Sequence, residues 1–411
     1  MTLLKSYKHT FAAAGLCSVT QAAIVNFAPL LFLTFQNDFS LTLSQIAFLV
    51  TLNFLVQLLI DLLGTKITSV MSYRAAVLTA LFFASAGMIG LGNLPFLMNP
   101  YAGLMISTAL YAVGGGLIEV ITSPIVEACP IKNKSGAMSF LHSFYCFGFV
   151  FVVVVCTLFF KFVGIENWRI LAMCWAALPL LNAVYFMLVP MYKLEGDEKK
   201  ISIKAILSKK VFWLFFVLML CSGAAEQAIV QWASAFAEAG LKVPKAMGDL
   251  LGPMCFSILM GLSRILYALF GNRINQTLTI FISSCGCVLS YLLTVFSPLP
   301  VLSLVGCALS GLSVGILWPG LLSLSATRFP QGGVSMFALL ALGGDVGCAV
   351  GPMVVGTVSD ALGGTLRWGI LSAVLFPLVL VIGVGMLIRI VKKEKSESEN
   401  LQAAEEIEPN T

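Results

Sequence analysis

The chain has 411 residues, of which 59% are apolar and only 10% charged, against about 25% charged residues in an ordinary soluble domain. So few charges cannot cover a water-soluble surface of this size, and so apolar a chain is not disordered, which leaves a protein whose main solvent is lipid. The net charge of +5 is therefore read by position, as an orienting signal in a membrane rather than as a nucleic-acid footprint.

A membrane-crossing helix needs roughly 20 mostly apolar residues. Taken in chain order, the sequence predicts twelve, near 10–35, 44–63, 75–94, 100–127, 136–160 and 168–190, then 212–237, 248–270, 276–296, 300–327, 334–360 and 367–390. The first is too long for a cleavable signal peptide and has no clear cleavage site. The segment 191–211 is the only long polar stretch between spans, and it divides them six and six. The expected organisation is an all-α polytopic protein with an N-terminal bundle (1–190), a cytoplasmic linker (191–211), a C-terminal bundle (212–393) and a disordered tail (394–411).

With the N-terminus placed in the cytosol, 18 of the 24 Lys and Arg fall on the cytosolic side, five (Lys161, Arg169, Lys242, Lys245 and Arg367) fall outside, and Arg264 lies within a span. This asymmetry puts both termini inside and the protein in the cell membrane. Ten of the eleven cysteines sit in apolar runs without metal-ligand spacing, so they read as packing residues and no metal is expected.

The two halves echo each other. At an offset of 205 residues, Ala23, Ile24 and Val25 match Ala228, Ile229 and Val230, Asn26 meets Gln231, and Phe27 meets Trp232. A second echo pairs Gly136–Ser139 with Gly332–Ser335, and Gly148 then aligns with Gly344. Both halves start on the same side, so the repeat is parallel, the six-plus-six plan of a carrier with a site between its halves.

Polar groups inside spans are costly and mark candidate sites. Glu226, Gln227, Gln231 and Trp232 cluster near the middle of the seventh span. An acid, two amides and an indole suit a sugar, by hydrogen bonds to hydroxyls and by ring stacking; Asn26 and Gln21 in the first span and Trp318 in the tenth join the candidate substrate site. Trp318 precedes Pro319, so it either stacks on a ligand or marks a kink. Glu119, below Gly114, Gly115 and Gly116, suits a group that gains and loses a proton during transport, as do Asp345 and His142, the last reading equally as a helix-packing donor. Arg264 reads as the partner of a buried acid, and Asp61, with Gly64 and Lys66, as a charge cluster bracing the short loop after the second span. No P-loop and no metalloprotease or nucleophile-elbow motif occurs, so neither ATP hydrolysis, a cofactor nor enzymatic chemistry is expected.

At these residues the chain resembles the major facilitator superfamily, and within it the fucose-permease-like sugar/proton symporter branch. The resemblance rests on Gly116-x-x-Glu119-x-x-x-Ser123-Pro124, on Ser139-x-x-His142-x-Phe144-Tyr145-x-x-Gly148 and on Gly223-x-x-Glu226 with Trp232, while Asp61-x-x-Gly64-x-Lys66 keeps the spacing of the superfamily's loop signature without its usual basic residue after the Asp. It implies two six-helix bundles related by a pseudo-twofold axis and a monomeric carrier of a small polar solute, with protons as co-substrate. That branch has a carboxylate in its first span and this chain has none there, so a proton role must rest on Glu119, Glu226 or Asp345. An exporter of drugs or amphipathic metabolites is the alternative, left open by the 30 Phe and 16 Met. A membrane enzyme or receptor would need a clustered catalytic set in one loop, and none is visible.

Overall fold

The computed structural model describes residues 6–131, 134–192, 206–270, 274–328 and 333–390; the expected tail and most of the linker lie outside the described residues. Twelve helical stretches are long and apolar enough to cross a membrane. We label them α1 (Tyr7–Phe39), α2 (Leu43–Gly64), α3 (Tyr73–Leu97), α4 (Pro100–Ala128), α5 (Ser143–Phe162), α6 (Ile165–Leu188), α7 (Lys210–Val230), α8 (Lys245–Tyr267), α9 (Gln276–Phe296), α10 (Pro300–Ser325), α11 (Leu339–Ala361) and α12 (Leu366–Ile390). No strand occurs among the described residues. In hydrocarbon each backbone N–H and C=O must find its partner within the chain, and a helix does this locally.

The helix starts are written in the sequence. Thr42 and Gln45 form a reciprocal capping box at the start of α2. Ser72, Asn99 and Asn275 each accept a backbone N–H in the first turns of α3, α4 and α9, which satisfies donors that a helix start leaves open. Pro100 and Pro300 occupy first positions, where no N–H is needed.

α1 to α6 pack on one another as one bundle and α7 to α12 as a second. The repeat read from sequence appears in the packing. The regular helix of α1 ends at Asn26, and that of α7 ends at Val230, within one residue of the matching position. In the first half Gly148 of α5 lies so close to α1 that an added Cβ would sit 2.9 Å from the Cα of Val19. In the second half a Cβ at Gly223 of α7 would sit 2.2 Å from the carbonyl oxygen of Gly344 in α11.

Even-numbered crossing of the bilayer puts both described ends of the chain, Tyr7 and Ile390, on one side, here called the terminus-bearing end. The halves are joined toward the opposite, far end. There α2 packs along α11, with Gly356 against Ala47 and the Leu43 carbonyl. Ser44 Oγ donates to Asp360 Oδ2 at 2.7 Å and Thr51 Oγ1 to the Ala349 carbonyl at 3.1 Å. α5 packs on α8 across the same seam.

Candidate functional site

Two polar groups lie between the halves at mid-depth. The first is built on a helix irregularity. Pro319 has no N–H to give to the carbonyl four residues back, so the Gly315 carbonyl is left free in α10. Arg264 Nε of α8 donates to that carbonyl at 3.4 Å. Its Nη2 lies 3.4 Å from Glu226 Oε2 of α7, and its Nη1 reaches across the seam to Cys146 Sγ of α5 at 3.7 Å. Arg264 is thus the partner of Glu226. The pair is only partly withdrawn from solvent, with side-chain accessibilities of 29% and 12%. From Glu226 an amide row continues outward: Gln227 Nε2 donates to Glu226 Oε1 at 3.2 Å, and Gln231 Nε2 to Gln227 Oε1 at 2.9 Å. Facing this row, Asn26 Nδ2 of α1 donates to Tyr145 Oη of α5 at 3.2 Å and to the Ala22 carbonyl at 3.0 Å.

The second group centres on Glu119. It lies nine residues from the terminus-bearing end of its helix, about 13 Å at 1.5 Å per residue, and is nevertheless exposed. Gln21 Nε2 of α1 donates to Glu119 Oε2 at 3.0 Å. Asp61 and Asp345 lie within electrostatic reach of Glu119 and of each other. Cys348, one helical turn beyond Asp345, lies within electrostatic reach of Glu119, Glu226 and Asp345.

Three sequence-derived expectations meet a different geometry. Trp232 is fully buried: its indole N–H donates to the Pro352 carbonyl at 3.1 Å, and its ring tilts on Phe32 at 5.1 Å. Helix geometry breaks at Gln231, and this turns Trp232 away from the amide row into the far-end seam. Asp61 stands deeper in its helix than the end of the second span implied. Its helix runs on to Val70, which places it nine residues inside the end, with Oδ1 buried and without a hydrogen-bond partner among the described residues. Trp318 is half-buried with its ring edge against Gly344, beside Asp345 rather than beside the amides. The side chains of His142 and Lys66 lie outside the described residues.

Sequence reasoning missed four neighbours. Tyr145 and Cys146 lie within the His142 stretch, the first as part of its motif and the second read only as a packing cysteine. Asn53 and Gln57 of α2 are buried and bonded to each other at 3.0 Å; their four-residue spacing, the same as that of Gln227 and Gln231, was the available signal. Asn53 and Gln231 also share a cavity of about 10 Å³ with Pro29, Phe32 and Tyr111. That is room for one water and far too little for a sugar ring. All eleven cysteines are free thiols, and no cluster of metal-ligating side chains occurs among the described residues.

Comparison with known proteins agrees with this architecture. No curated protein matches the sequence. Among solved structures, a bacterial homolog of the human lysosomal transporter Spinster, inward-facing and occupied, superposes with a TM-score of 0.74 at 12% identity, covering 93% of this chain and 97% of that one. The D-xylose-proton symporter gives 0.73 at 13% identity, over 91% and 95% of the two chains. The E. coli fucose:proton symporter gives 0.63 at 19%, over 93% and 99%. At these identities the likeness is one of fold. The family itself is identified by sequence, since the model of the Major Facilitator Superfamily matches residues 11–337 and 251–409. A twelve-span, two-bundle chain that this model covers almost throughout is a multi-pass membrane transporter and belongs to the Major Facilitator Superfamily.

Proposed function

We propose that the protein is a secondary active carrier of a small polyhydroxylated solute, most simply a sugar, that works as a monomer by alternating access and is driven by protons. The observation that carries this reading is the pairing of two half-sites at one depth: an accessible carboxyl, Glu119, bonded to Gln21 on one half, and the Glu226–Gln227–Gln231 row facing it from the other. Amides and carboxylates bind hydroxyls in both donor and acceptor senses. An exposed carboxyl beside two other acids can exchange a proton as the site opens and closes. Asn26 and Tyr145 complete the wall between the two groups. Similarity to sugar/proton symporters supports the same substrate class.

In this reading the terminus-bearing end faces the cytosol of the cell membrane, because the basic residues concentrate there. The far-end seam is then the closed outer gate, and the conformation is open inward. Each six-helix bundle moves as one body about the site, joined by the linker at 191–211.

The test is uptake of a sugar panel into proteoliposomes with and without an inward-directed proton gradient. A gradient-driven sugar signal that Glu119→Gln reduces to gradient-independent exchange is the expected result. If no sugar moves and Glu119→Gln leaves all measured transport unchanged, the proposal fails; gradient-driven movement of amphipathic drugs instead assigns the chain to the exporters.

A further inference from the structure

The far-end seam holds a charged side chain that the site does not use. Lys245, at the start of α8, is withdrawn from solvent, with a side-chain accessibility of 17%. Its Nζ crosses to the other half and donates to the Leu30 carbonyl of α1 at 2.6 Å, and it lies 5.7 Å from the centre of the Phe160 ring of α5. Its remaining partners belong to its own half. Asp249, only 1% accessible, lies at 3.2 Å, Ser234 Oγ at 3.2 Å and Glu238 at 3.9 Å, and Ser234 also donates to Asp249.

The division of these partners is the informative point. A buried ammonium at an interface that stays closed contributes little net stability, because its desolvation offsets its attractions. At an interface that opens and closes, the same group behaves differently. When the far end opens, Lys245 loses the Leu30 carbonyl and the Phe160 ring and keeps Asp249, Ser234 and Glu238. The charge is therefore never left alone, and the bond that breaks is the one that spans the halves. Among the described far-end bonds between halves, this one and the Ser44–Asp360 bond have a charged partner, which is the stronger class of hydrogen bond, and this is the one whose charge keeps a full set of partners on its own half when the seam parts.

We propose that Lys245 is the latch of the far-end gate, and that the Asp249–Ser234–Glu238 cluster keeps its charge satisfied while the gate stands open. This rests on the alternating-access reading above, but on no particular substrate. Losing one charge-assisted bond of this kind shifts a two-state population by about tenfold or more.

The experiment is hydrogen–deuterium exchange on the full-length protein in nanodiscs with no solute added, comparing wild type, Lys245→Met, Lys245→Arg and Gly356→Trp. The last inserts a wedge where even a Cβ would sit 2.3 Å from that of Ala47. The expected result is that Lys245→Met raises exchange about tenfold in residues 28–43, on the opposite half, and lowers it around residues 120–131, while Lys245→Arg stays near wild type. Should Met at this position prevent insertion, Lys245→Gln gives the same readout. If the wedge exposes residues 28–43 and Lys245→Met does not, or changes exchange only within residues 233–249, the latch is overturned. If the wedge itself leaves residues 28–43 protected, the far end does not open and the alternating-access reading falls with it.

Discussion

Glu226→Gln leaves Arg264 without its only carboxylate partner among the described residues. Removing one partner of a fully buried pair costs about 3–5 kcal/mol. The cost here is smaller, because the Arg264 side chain is 29% accessible and keeps its contacts with the Gly315 carbonyl and Cys146. About 2 kcal/mol is the expected loss. For a body of 150–250 residues, close to one bundle, this lowers the melting midpoint by roughly 4–8 °C. The double variant Glu226→Gln with Arg264→Gln removes both charges and leaves two amides within hydrogen-bonding distance, so it is expected to recover at least half of that loss. The assay is thermal unfolding of the purified protein in detergent, followed by tryptophan fluorescence, with transport measured in parallel. The single variant and the double are both expected to transport poorly, because the pair sits in the proposed site. A Glu226→Gln midpoint within 1 °C of wild type, or a double variant no more stable than the single, refutes the pairing as the organising contact.

The remaining expectations concern single groups. Gly347→Leu should separate α11 from α7 and cost several degrees of melting midpoint, because even a Cβ there would sit 1.9 Å from the Leu220 carbonyl oxygen. Tyr145→Phe removes the acceptor of the Asn26 bond, worth about 1 kcal/mol, and should raise the KM for a transported polyol about fivefold with no loss of thermal stability beyond 2 °C. Glu238 lies outside the spans, and burial raises its carboxyl above the usual range, with Lys245 opposing and Asp249 adding to the shift. A raised carboxyl favours the folded state below its unfolded pKa and loses that contribution as pH rises through the folded value. The midpoint of wild type relative to Glu238→Gln should therefore fall as pH is raised from 4 to 7, and an unchanged difference between the two melting curves contradicts this.

Much of the fold was legible because lipid simplifies the problem. A span announces itself by length and apolarity, and all twelve appear within several residues of their expected positions. The repeat was legible at Asn26 and Gln231 because both mark the same interruption of the first helix in each half. What sequence could not supply was rotation of one helix about another. Arg264 could neutralise any buried acid, and its choice of Glu226 depends on how α7 and α8 are turned. Trp232 follows Gln231 directly, yet a local break in the helix sends the two side chains to different places. Asp61 read as a span-end residue bracing the next loop because hydropathy falls off at Gly64, whereas the helix continues to Val70 and leaves the carboxyl within electrostatic reach of Glu119. The Lys245 cluster was invisible for another reason: its partners come from α1, α5, α8 and the α7–α8 connection, and no spacing rule links them.

The seam between α7 and α11 bears on how freely this sequence can change. Gly223, Gly347 and Gly351 bring one backbone against another, to distances at which any Cβ would collide with a carbonyl. Such a seam asks for no particular side chain, only for the lack of one. The lipid-facing positions, in turn, ask only for apolarity. A chain built this way can replace most of its residues and keep its shape, so long as a few bare positions stay bare. Random substitution should therefore be tolerated unevenly along α11, freely on its lipid side and hardly at all on the side toward α7.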